Sequence, residues 1–179
     1  MGSRHSANLR YISFQIEAMA TAADIVAKRL GLPDGFQMVP FREKAEYAWH
    51  RQWKSVSTRN SPNGGWDWSE LRWDYRNDST TLAGAIWVKG DLLALFLGRL
   101  NNTAARIDYL ESTPHLNHPL RGKVLPLAIE TGALYAQKSG RKQLWLMNPV
   151  PAVIEFSRRF YGFEYVEPPG KTPFCKREV

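Results

Sequence analysis

Apolar residues recur at Ile12, Ile16, Met19, Ala23, Val26 and Leu30, and this spacing of three to four predicts a helix over residues 9–30. Gly31 and Pro33 end it. A second helix is predicted over residues 42–56, with Trp49 and Trp53 one turn apart on one face. Ser61-Pro62-Asn63-Gly64-Gly65 is a loop by composition, and the aromatic stretch 66–73 has no clear period. Residues 80–88 and 92–98 are apolar runs around Lys89-Gly90-Asp91, a β-hairpin signal in which Gly90 is available for positive φ. Residues 105–111 read as a third strand. Strict alternation puts Ile107, Tyr109 and Glu111 on one face and Arg106, Asp108 and Leu110 on the other.

A loop over 112–120 leads to the basic turn Arg121-Gly122-Lys123-Val124-Leu125-Pro126 and then to a helix over 127–139. Its predicted buried stripe is Leu125, Ala128, Ile129, Gly132, Ala133 and Ala136, with Gly140 as the residue just past its end. A strand over 143–147, a short helix over 152–160 and closing strands over 164–167 and 173–177 complete the chain. Helices first, then an antiparallel meander, then strand–helix–strand: the fold class is α/β (α+β) with a mixed sheet. A basic loop that opens directly into a helix is an anion cradle, because backbone N–H groups and the positive end of the helix dipole converge there. A diphosphate such as that of coenzyme A fits it.

The 179 residues suit one domain with a sizeable core. The lone Cys175 excludes an internal disulfide framework and favours a reducing compartment. No secretory h-region opens the chain, and the longest apolar stretch, 82–97, is broken by Lys89-Gly90-Asp91. A cytoplasmic protein without membrane contact is expected. The net charge of +7 favours an anionic partner: a phosphate-bearing cofactor, a nucleic acid or an acidic surface. The basic residues are interleaved with acids, which suits a solvated surface plus one anion site.

The hairpin over 82–98, the strand Ile107-Asp108-Tyr109-Leu110-Glu111, the basic turn, Ala152-Val153-Ile154-Glu155-Phe156 and the closing Phe160-Tyr161-Gly162-Phe163 together resemble the GNAT superfamily of N-acyltransferases. The resemblance covers residues 80–166 and is compatible with the two N-terminal helices. It implies a single domain over 1–179, with a mostly antiparallel twisted sheet flanked by helices. Residues 1–75 would be the helical acceptor side, and 80–179 the sheet and acyl-coenzyme A side. It also implies direct acyl transfer from acetyl-coenzyme A, or another acyl-coenzyme A, to a small or macromolecular amine, without a metal. A homodimer is compatible with it.

Residue by residue, the resemblance implies Glu111 as general base and Tyr161 as candidate acid. Tyr109, Leu110 and Ser112 would pair with the pantetheine arm, and Arg121, Gly122, Lys123, Val124, Leu125 and Leu127 would hold the diphosphate. The family's loop reads Arg/Gln-x-x-Gly-x-Gly/Ala; Arg121 matches its first position, while Val124 and Pro126 replace the two small residues. Pro126 has no N–H but suits the first turn of a helix. Losing one charge-assisted bond weakens binding by roughly tenfold to a hundredfold. Two alternatives stay open: a catalytically inactive binding module of this fold, and an acetyltransferase directed at tRNA or another nucleic acid. His115 and His118, three residues apart just before the turn, offer a substrate-side base, while a metal would lack a third ligand. Trp49, Trp53, Trp66, Trp68 and Trp73 are either packing or a substrate wall.

Overall fold

The computed structural model describes residues 2–56 and 64–179, with side chains from residue 8 onward. In chain order the elements are α1 (Gly2–Leu30), β1 (Phe36–Pro40), α2 (Glu43–Gln52), α3 (Trp68–Tyr75), β2 (Leu82–Val88), β3 (Asp91–Leu100) and β4 (Ala104–Ser112). They continue with α4 (Val124–Lys138), β5 (Gln143–Met147), α5 (Pro151–Tyr161), β6 (Glu164–Val166) and β7 (Phe174–Glu178). The strands form one sheet in the order β1-β2-β3-β4-β5-β7-β6, antiparallel throughout except for the parallel pair β4–β5. This is the expected mixed α/β sheet.

The sheet carries a core on each face. One joins α1 and α4 to Ile86, Phe96, Ile107 and Leu144; the other joins α2 and α3 to Ala85, Leu95 and Leu97. Wedged between α1 and the sheet, α4 is buried on almost every side, from Val124 to Ala136. The hairpin turn is Lys89-Gly90, both at positive φ (51° and 91°), the geometry that matches the twist of the flanking strands.

Three features lie outside what the sequence indicated. The buried stripe of α1 is Gln15, Ala18, Met19, Ala22 and Val26, whereas Ile16 and Leu30 stand about half exposed. Small residues at Ala18 and Ala22 let α1 approach its neighbours, so packing overrides the hydrophobic ranking. β1 was not expected from the sequence: it is short, ends in a proline, and is possible only at the sheet edge, where it pairs with β2 alone. The stretch without a clear period forms α3, started by Asp67, whose carboxylate accepts the N–H groups of Ser69 and Glu70 at 3.0 and 3.1 Å. Of the predicted loop, Gly64 and Gly65 have no regular structure, and residues 61–63 lie outside the described residues.

Strict alternation in the third strand also fails. Leu97 pairs with Tyr109 but Gly98 with Ile107, so Asp108 is an extra residue in a β-bulge. The bulge turns Ile107 and Leu110 to the α4 core and brings Asp108 and Tyr109 together on the α3 side. Glycine is required opposite it, because a Cβ on Gly98 would lie 1.8 Å from the Arg106 carbonyl oxygen.

Candidate active site

β4 and β5 pair only from Ala104–Gln143 to Ile107–Leu146. Beyond that point β5 turns away through Asn148 (φ 45°), whose N–H donates to the Pro173 carbonyl at 2.8 Å. The divergence opens a cleft of about 1120 Å³. Asp108 to Ser112 form one wall, Met147 to Pro151 contribute to the other, and Val124 and Leu125 of α4 also line it. Thr113 donates its N–H to Leu93 on β3 at 2.8 Å. Alternation along the strand therefore turns the backbone groups of Leu110 and Ser112 to the opposite edge, the one facing the cleft.

The basic turn runs directly into the cleft-lining end of α4. Gly122 adopts φ 77°, and Lys123 caps the helix without a side-chain hydrogen bond. Lys123 donates its N–H to Leu120 at 2.9 Å, and Leu127 donates to Lys123 at 3.0 Å. Val124 and Leu125 thus have the N–H groups that lack an intrahelical acceptor, and Pro126 has none. Leu127 is fully buried with its N–H closing the first turn, so it presents no open donor at the turn. Val124 and Pro126 are buried.

Glu111 lines the cleft although only 3% exposed. Its carboxylate accepts the indole N–H of Trp68 at 2.6 Å and the backbone N–H of Gly65 at 3.2 Å. Both donors come from the segment that starts α3, so the Asp67 cap also aims Trp68 at Glu111. Beside it Trp66 packs edge-on against Trp68 and Tyr109, with centroids at 6.4 and 5.5 Å. Further along the same wall, Asp108 accepts the Tyr75 hydroxyl at 2.8 Å and Nε of Arg106 at 3.0 Å. Burial, opposed by Arg99 and reinforced by Asp108, pushes the Tyr75 phenol well above its usual range. The Tyr75, Arg99, Arg106 and Asp108 group escaped the sequence reading because only the bulge gathers it.

The remaining predicted residues fall elsewhere. Tyr161 sits at the C-terminal end of α5, against Phe156 and with Arg29 and Arg177 over its ring at 5.5 and 5.6 Å. Burial, opposed mainly by Arg29, raises its phenol. It does not line the cleft, and the structure does not bring it to Glu111. His115 is exposed; His118 is half-buried beside Arg121, and burial together with that cation lowers its pKa. Trp49, Trp53 and Trp68 are core residues, while Trp73 is exposed. Cys175 is buried, which raises its thiol. Among the described residues, no three His, Cys, Asp or Glu side chains gather as a metal site, and no helix is long and apolar enough to cross a membrane.

Comparison with solved structures shows that this fold is the fold of the GNAT acetyltransferases. An acetyltransferase from Thermus thermophilus matches with a TM-score of 0.62 and 19% identity, covering 80% of this chain and 97% of that one. The GNAT domain of S. lividans PAT matches at TM-score 0.58 and 12% identity over 80% and 90% of the two chains. A PaiA N-acetyltransferase from Thermoplasma acidophilum, solved in complex with coenzyme A, matches at 0.53 and 12% over 80% and 99%. No protein-family model and no curated protein matches the sequence.

Proposed function

We propose that the protein is an acyl-coenzyme A-dependent N-acyltransferase, with acetyl-coenzyme A as donor and an amine as acceptor. One observation carries the reading: the free edge of β4 borders a deep cleft whose lining continues into the N-terminus of α4. An extended arm with amide groups can add to that edge as a strand would, using the backbone groups of Leu110 and Ser112. A diphosphate at the arm's end meets the N–H groups of Val124 and Leu125 and the charges of Arg121 and Lys123. The fold likeness to acetyltransferases, one of them solved with coenzyme A, supports the same donor.

Glu111 is the proposed base. The ammonium of the acceptor must lose a proton before its lone pair attacks the thioester carbonyl, and Glu111 takes that proton directly or through one water. The Trp68 indole and the Gly65 amide are uncharged, so they orient the carboxylate without neutralising it. Backbone N–H groups at the open edge stabilise the negative charge that develops on the carbonyl oxygen. The carbon–sulfur bond then breaks, and the thiolate leaves with a proton from solvent or from the acceptor.

Isothermal titration with acetyl-coenzyme A tests the cradle. Micromolar binding is expected, weakened about tenfold or more in an Arg121→Ala/Lys123→Ala variant. Failure of the wild type to bind at millimolar concentration would favour the inactive binding module instead.

A further inference from the structure

We infer that the acceptor amine carries a carboxylate held by Arg99; this deepens the transferase reading and rests on it. Arg99 lines the cleft with its side chain 40% exposed, and its guanidinium lies 4.0 Å over the Tyr75 ring. Its nearest carboxylates, Asp78 and Asp108, stand at 3.7 and 3.8 Å, beyond hydrogen-bonding distance. Its Nε is buried with no hydrogen-bond partner among the described residues.

Asp108 is already committed to other donors. Arg106 donates to one Asp108 oxygen through two nitrogens, at 3.0 and 2.5 Å, and the Tyr75 hydroxyl takes the other oxygen. Asp108 therefore has little left to give Arg99. A guanidinium presents five donors and cannot shed its proton; Asp78 and Asp108 offset part of its charge from 3.7 and 3.8 Å without accepting a hydrogen bond, so an anion in closer contact with the open donors gains free energy. One guanidinium with open donors matches one carboxylate. A dianion would bring its second charge against Asp108 and Glu111 in the same cleft.

The strand register sets the acceptor's shape. Glu111 faces Leu95, four residues along β3 from Arg99, a separation of roughly 13 Å along the strand. Tyr109, with Trp66 and Tyr75 edge-on at 5.5 and 6.4 Å, lies between them. The acceptor thus has its amine at one end, an apolar or aromatic middle, and a single carboxylate at the far end. A short peptide with a free C-terminus has this chemistry.

The test uses the tetrapeptide alanyl-phenylalanyl-alanyl-alanine and its C-terminal carboxamide, four extended residues spanning about 13 Å. Each is titrated into the wild-type protein and followed by tryptophan fluorescence, which reads binding without the donor. Each is then offered with acetyl-coenzyme A while released thiol is measured. The free acid is expected to bind about tenfold or more tightly than the amide. That preference should vanish in Arg99→Gln, persist in part in Arg99→Lys, and remain intact in Arg76→Gln, a surface control. Equal binding of acid and amide, tighter binding of the amide, a preference that survives Arg99→Gln, or no binding of either at millimolar concentration overturns the inference. Acid-selective binding with no thiol release would leave Arg99 as the anion reader and remove the transferase reading. Equal thiol release with both would do the reverse.

Discussion

Replacing Glu111 by glutamine separates positioning from proton transfer. The wild-type carboxylate is almost fully buried and accepts from Trp68 at 2.6 Å and from Gly65 at 3.2 Å. The amide keeps one acceptor oxygen and turns an NH₂ toward the other donor. Losing one hydrogen bond to a charged group in a buried setting costs about 1.5–3 kcal/mol. For a chain of this size each kcal/mol is worth roughly 2–4 °C, so Tm should fall by about 3–12 °C. The loss of a general base is separate, and should lower kcat by roughly a hundredfold to ten-thousandfold. Trp68→Phe is the companion variant. It removes the donor but keeps the carboxylate, so it should show a comparable loss of Tm with a much smaller loss of kcat. Thermal unfolding, coenzyme A titration and thiol release, all below the lower Tm, resolve the three effects. A Glu111→Gln protein that binds acetyl-coenzyme A normally and keeps kcat within about threefold would refute the assignment of the base.

Gly98→Ala should destabilise the protein by about 3 kcal/mol or more, read from its urea midpoint, because the new Cβ would press on the Arg106 carbonyl beneath the bulge. An unchanged midpoint would mean that the bulge is not set at this contact. Tyr161→Phe should leave kcat within about threefold, since the ring packs against Phe156, Arg29 and Arg177 outside the cleft; a large fall in thiol release would restore Tyr161 as an acid. His118 is held below its ordinary pKa of 6.5 by burial and Arg121. Its contribution to stability is therefore complete above that value. As pH falls below 6.5 the unfolded chain takes up a proton that the folded one resists, and stability declines. The urea midpoint should drop less between neutral pH and pH about 5.5 in His118→Asn than in the wild type; identical drops would sink this reading.

Much of the frame was legible in the chain alone. The hairpin turn at Lys89-Gly90, the helix after the basic turn and the closing strand–helix–strand depend on residues close in sequence, where backbone φ preferences and apolar spacing act directly. The acyl-coenzyme A reading came from that order of elements. What decides the wall of the site depends on distant partners. Glu111 meets Trp68 from 43 positions away and Asp108 meets Tyr75 from 33, and no periodicity reports such pairs. The extra residue at Asp108 put Ile107 on the opposite face from Tyr109 and Glu111, because a bulge is set by the pairing of two strands and the glycine opposite it, and alternation within one strand is blind to that. The covered face of α1 was decided in the same way: α4 and the sheet, rather than hydrophobicity, chose which residues were buried. Local chemistry thus determined the elements and the basic turn that opens α4. The tertiary structure decided which charges face the cleft, since burial and pairing are properties of the packed sheet.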